Sequence, residues 1–259
     1  MMAGLRLWRG LTRIADRGYL RRWERAANAA GDIDVETLQS HRSRARALRR
    51  RLDRLLHVAD GRLALPVIGS TAIQRPLHSD WAYRPQLWRG PVFPSGHVAV
   101  ETQTRFGDEA TVYHDCKVSE LTFRQIRNTR ESDLAPFGVR LDVFGFDGSF
   151  LSLVVDLPHD AVVGLEKRHL VRLTASLETE KPLEVFARLN IKHGPNTEQI
   201  VRELPVSSGD AWVEFDLAYS DLNERRIEKM WLDLIFEGPE LNQILLRDVT
   251  LARRPRAEI

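Results

Sequence analysis

The chain has 259 residues, of which 43% are hydrophobic and 29% charged, proportions of a folded globular protein that exclude wholesale disorder. No apolar run reaches the roughly 18 residues of a membrane-spanning helix. Arginines interrupt the N-terminus, so it has no apolar signal-peptide core, and the single cysteine, Cys116, excludes an internal disulfide framework and a Cys-rich zinc site.

The net charge of +2 hides an asymmetry. Residues 1–62 carry fifteen arginines against seven acids, a formal +8, and the remainder carries 23 bases against 29 acids, a formal −6. This predicts a basic arm on a mildly acidic body in a reducing, cytoplasmic setting. Such an arm meets an acidic partner, anionic lipid or nucleic acid.

In chain order, residues 1–60 read as the arm. Leu7, Trp8, Leu11, Ile14, Ala15, Trp23, Ala26 and Ala27 recur at helical spacing over 3–30, and Gly31-Asp32 breaks the pattern. Over 34–58, Leu38, His41, Ala45, Leu48, Leu52 and Leu55 alternate steps of three and four, with arginines around them. Three readings follow: a helical hairpin with a solvated basic face, self-association as a coiled coil through residues 38–55, and attachment to the inner membrane surface through Trp8, Leu11 and Trp23.

Residues 61–96 hold five of the twelve prolines with Trp81, Tyr83, Trp88 and Phe93 between them. That mixture predicts an ordered, extended connector whose aromatics pack along the body. From 97 to 259 the period changes to two. Leu183, Val185, Ala187, Leu189 and Ile191 alternate with polar neighbours, as do Val213, Phe215 and Leu217, then Met230, Leu232, Leu234 and Phe236. Further strands are predicted near 97–105, 109–115, 118–126, 139–146, 149–157, 168–178, 198–204 and 243–252, and one short helix at 220–229. About ten strands without helices of similar length predict a mainly β protein, an antiparallel jelly-roll sandwich behind a basic α-helical hairpin arm.

The run from Ala187 to Arg254 contains Trp212 to Leu217, Trp231 to Phe236 and Ile244 to Leu251, the last with an Asp248-Val249-Thr250-Leu251 ending. It resembles the second half of galactose-binding-like jelly-roll modules, a fold shared by many carbohydrate-binding modules. The whole chain is also similar to an uncharacterised bacterial family of unknown function, through Asp80 to Pro85 and Phe146 to Leu153. The first resemblance implies a carbohydrate ligand, and it implies that Asp248 helps hold a structural calcium. A solvated or turn-bonding aspartate is the alternative, since calcium takes six to eight oxygens.

Sugar binding needs flat aromatic faces and planar polar groups. Arg188, Asn190 and Lys192 share one face of the strand at 183–192, with Phe186 beside them and His193 and Asn196 close by. Trp212 and Trp231 lie on the minority faces of their strands, as ligand platforms or as core. These eight residues form the candidate ligand site. For Arg188 the structural alternative is an ion pair with Glu214 or Asp233.

Catalytic patterns are lacking. His114 and Cys116 share a strand face that excludes Asp115, and the histidines have no paired metal spacing. No phosphate loop, dinucleotide fingerprint or nucleophile elbow occurs, and Asp142, Asp156, Glu214 and Asp233 are outward acids of a kind every sandwich has. The expectation is therefore a non-enzyme that binds a glycan or a glycan-handling protein. A protein-interaction module comes second. Nucleic-acid binding by the arm comes third, without a motif to support it.

Overall fold

The carboxylate of Asp34 accepts the Thr37 N–H at 2.8 Å and so starts the longer of two N-terminal helices. In the computed structural model, which describes residues 18–63, 73–206 and 209–256, α1 covers 18–28 and α2 runs from Val35 to Leu63. The chain divides into two units, residues 1–58 and 59–259. Leu7, Trp8, Leu11, Ile14 and Ala15 lie outside the described residues, as does Ser208. On α2, Leu38, Leu52 and Leu55 are exposed, while His41 and Leu48 are half-buried.

The second unit contains β1 (Trp81–Tyr83), α3 (Gln86–Arg89), β2 (Gly96–Val98), β3 (Thr104–Phe106), β4 (Ala110–His114), β5 (Glu120–Arg127), β6 (Phe137–Gly145) and β7 (Leu151–Asp156). These are followed by β8 (His169–Thr179), β9 (Glu184–His193), β10 (Asn196–Leu204), β11 (Gly209–Asp216), β12 (Ile227–Glu237) and β13 (Asn242–Pro255). The period-two reading of the sequence finds its counterpart in nearly all of them. Over the predicted helix at 220–229 the chain instead makes a 3₁₀ turn at Glu224–Arg226 and enters β12, because Ile227 already pairs with His193.

All pairings are antiparallel. One sheet has the order β11-β8-β13-β6-β5-β2, with β1 on β13; the other has the order β10-β9-β12-β7-β4-β3. Alternate residues of each sheet bury between them, Leu189, Leu232, Leu153 and Val112 from one and Leu173, Val249, Leu141 and Phe123 from the other. This is a jelly-roll-like sandwich of two layers. β13 is the longest strand. It pairs with β8 along most of its length and, on its other side, first with β6 and then with β1.

The proline-rich segment does more than pack along this body. Trp88 is fully buried and its indole N–H donates to the Leu246 carbonyl at 3.0 Å, and β1 adds a strand to the larger sheet. Arg253, itself buried, grips Asp80 through two bonds of 3.0 Å. The described part of the connector from Asp80 onward thus belongs to the sandwich through Trp88, which fills the core, and Trp81 and Tyr83, which pack against it half-buried; Phe93, expected to pack along the body, is instead 96% exposed.

Candidate functional site

Register places the site. Residues directly opposite in neighbouring strands share a face, so the pairings of the six-stranded sheet define rows across its outer surface. One row is Arg188, Asp233, Val154, Thr111 and Arg105, on β9, β12, β7, β4 and β3 in turn. The next row on one side is Gln199, Asn190, Trp231 and Asp156. On the other side it is Glu203, Phe186, Ile235, Ser152 and Tyr113. A largely polar row therefore runs across the strands between Trp231 on one flank and Phe186 and Tyr113 on the other. Strand spacing sets the distance from β12 to β3 at about 14 Å.

The face is recessed. Gln103, Arg105, Thr111, Tyr113, Val154, Asp156, Lys229 and Trp231 line an open cavity of ≈ 560 Å³. Of the residues in these rows, Thr111, Tyr113, Val154, Arg105, Asp156 and Trp231 line the recess; beside it on the same outer face Asn190, Asp233 and Ser152 are buried although they point away from the core, and Phe186 is half-buried. Arg188 donates to Asp233 Oδ2 through Nε at 2.7 Å and lies within 2.6 Å through Nη2. Asn190 Nδ2 reaches the same oxygen at 3.1 Å, and Asn190 Oδ1 accepts from Gln199 at 3.0 Å. Asp233 Oδ1 and Ser152 Oγ are buried with no hydrogen-bond partner among the described residues. Lys229 Nζ sits 5.2 Å from the centre of the Trp231 ring and 2.7 Å from Asp156.

The sequence-derived residues divide. Phe186, Arg188, Asn190, Lys192 and Trp231 come together on this face, with Lys192 paired to Glu228 at its end. Asn196 is exposed at the hairpin where Gly194, at φ 63°, turns β9 into β10. His193 does not join them. It is one residue out of phase, so it is buried on the opposite side, where its Nδ1 accepts the Asn223 N–H at 3.3 Å. Trp212 lies on β11 in the other sheet, 51% exposed, with the Arg172 guanidinium 4.1 Å from its ring centre. Neither tryptophan is a core residue.

Asp248 is also on the other sheet. Both of its oxygens bond to Arg84, at 2.8 and 2.7 Å, so a guanidinium fills the direction from which a cation would approach. Among the described residues no three acidic, histidine or cysteine side chains gather as metal ligands. The donor set does not fit calcium, whose oxygen requirement one engaged carboxylate cannot meet.

The residues that sequence reasoning did not select are Tyr113, Thr111, Arg105, Ser152 and Lys229. Each is outward by parity, but their meeting depends on β7 pairing with both β12 and β4, a long-range fact absent from local pattern. The His114 and Cys116 pair is not catalytic in form. His114 Nε2 lies 2.7 Å from the Val100 carbonyl, its Nδ1 accepts the Cys116 N–H at 3.2 Å, and burial pushes the thiol pKa up, away from the thiolate.

A model of the family described as "Family of unknown function (DUF6478)" matches residues 2–259. No curated protein matches. Among solved structures, the chain is similar to a family 11 carbohydrate-binding module from Clostridium thermocellum in complex with a β-1,3-1,4-mixed-linked tetrasaccharide, at 12% identity and a TM-score of 0.39, covering 63% of this chain and 98% of that one. It is similar to the C-terminal family 22 carbohydrate-binding module of a C. thermocellum xylanase at 8% identity and a TM-score of 0.36, covering 72% and 99%. For the enzymatically active domain of bacteriophage CBA120 tailspike protein 4 the values are 8% and 0.39, with 55% of this chain and 19% of that one covered. These likenesses concern the outline of the sandwich, and no residue here takes a role from them.

Proposed function

The chain belongs to this family of unknown function, and we propose from the geometry of its outer sheet face that it is a non-catalytic carbohydrate-binding protein. The observation that carries the reading is the polar row Arg188, Asp233 and Thr111 running between Trp231 and Phe186 with Tyr113, beside an open recess that Thr111, Tyr113 and Trp231 help to line. A pyranose ring has apolar C–H faces and an equatorial belt of hydroxyls. The aromatic flanks suit the former, and the Arg105 guanidinium, Asp156 carboxylate, Gln103 amide and Thr111 hydroxyl that line the recess suit the latter. The unpartnered Asp233 Oδ1 and Ser152 Oγ add an acceptor and a hydroxyl that water or ligand hydroxyls would satisfy after a small side-chain shift. The open recess, spanning several strands, fits an internal stretch of a chain better than one enclosed sugar.

The experiment is a glycan array with the purified protein, followed by titration calorimetry of any hit at two salt concentrations. Trp231→Ala should lower the affinity at least ~10-fold, the worth of one well-packed contact of about 1.4 kcal/mol, and Trp212→Ala should leave it unchanged. No hit, or a hit indifferent to Trp231, would remove this face from consideration. Binding that vanishes with salt would assign the ligand to the arginine arm instead.

A further inference from the structure

Helix α2 carries its charges in a pattern that the sandwich does not explain. Leu38, His41, Ala45, Leu48, Leu52 and Leu55 form one seam, and the positions on its two flanks are Arg42, Arg44, Arg49 and Arg51. Arg42, Arg44, Arg46 and Arg51 are exposed and meet no carboxylate among the described residues. The seam is half-buried at His41 and Leu48 but exposed at its two ends, Leu38 by 38%, Leu52 by 48% and Leu55 by 63%.

Three occupants compete for this face. A second copy of the seam would bury the leucines, but in either direction it sets arginine flank against arginine flank, where paired helices carry opposite charges. A nucleic acid would neutralise the arginines but leave the leucines against phosphates. An anionic lipid surface satisfies both at once, with leucines in the boundary between headgroups and acyl chains and arginines on the phosphates around them. No helix among the described residues is long and apolar enough to cross a membrane, so such a helix lies on the surface. We propose that α2 is an interfacial helix that docks the protein on an anionic membrane, its occupant being lipid and not a second chain.

The test uses the full-length protein and flotation with phosphatidylcholine vesicles, with and without phosphatidylglycerol. Wild type should float only with the anionic vesicles. Leu52→Gln with Leu55→Gln keeps the charge and the helix, and should lose ~10-fold or more in partitioning because the apolar insertion is gone. Replacing Arg42, Arg44, Arg46 and Arg51 by Gln should lose roughly 100-fold or more, at about 1 kcal/mol for each basic residue near the surface. Helicity by circular dichroism checks that both variants retain α2. Failure of wild type to float overturns the proposal. Undiminished floating of the leucine variant reduces the contact to diffuse charge attraction and also overturns it. Two further results do the same: a wild-type dimer that the leucine variant converts to monomer, or duplex DNA that strips the protein from vesicles with equal ease for both leucine forms.

Discussion

Arg188 and Asp233 face each other across β9 and β12, with the guanidinium of one 2.6 Å from a carboxylate oxygen of the other. Asp233 is almost wholly buried while Arg188 is about a third exposed, its side chain being 36% accessible. The carboxylate therefore depends on its partner more than the partner depends on it. Arg188→Ala should destabilise the protein by about 1–3 kcal/mol, and a double replacement of Arg188 by Met and Asp233 by Leu should recover most of that loss. Urea unfolding of the two variants checks it. A single variant as stable as wild type would mean that water already holds the carboxylate.

Trp88 should behave as a core residue although it lies in the proline-rich segment. Trp88→Ala leaves a large cavity and an unmet Leu246 carbonyl, a cost of about 3–5 kcal/mol. Removal of residues 1–60 should give a folded sandwich, since the unit boundary falls after Val58, whereas removal of 1–96 should give an unfolded or insoluble product. Solubility, far-UV circular dichroism and thermal melts separate these outcomes.

His169 should make the sandwich acid-sensitive. Burial, and then the nearby Arg253 guanidinium, hold its pKa below the ordinary imidazole value, against the opposing pull of Asp80 3.6 Å away and of Glu166. The unfolded chain thus takes up the proton first. The stabilising contribution of the neutral ring is present above the ordinary imidazole pKa and is lost as pH falls through the lowered one. Thermal melts across that window should show a decline that His169→Gln removes. An unchanged decline would place its origin in the carboxylates.

Lys229 should act as a movable cover over Trp231. Its ammonium lies over the ring and pairs with Asp156, yet the side chain is half exposed, so it can swing away at small cost. Lys229→Ala should leave the affinity for a neutral glycan equal or up to ~10-fold higher and make it less sensitive to salt. A large loss would show that the ammonium itself contacts the ligand.

Parity alone brings Phe186, Arg188, Asn190 and Lys192 to one face, because alternation is a local property of a strand. The same rule turns His193 inward, and its nearness along the chain to Lys192 is no guide to nearness at a surface. Tyr113 and Ser152 were legible as outward residues but not as neighbours of Trp231, since their meeting is set by β7 lying between β4 and β12. Asp248 illustrates the same limit. Its partner Arg84 is 164 residues away and approaches from the segment before the first helix of the sandwich, so no local motif describes its surroundings.

The position of β13 bears on how the protein is made. The last strand in chain order is also the one that joins β8 to β6 and to β1. A ribosome will have released every strand of the smaller sheet before residues 242–255 emerge, and until then β8, β6 and β1 lack their shared neighbour. The nascent protein passes through a state with several unpaired edges and an uncovered apolar layer, the condition that favours aggregation and chaperone capture. Deleting β13 should therefore harm yield in cells far more than an equal loss from the arm.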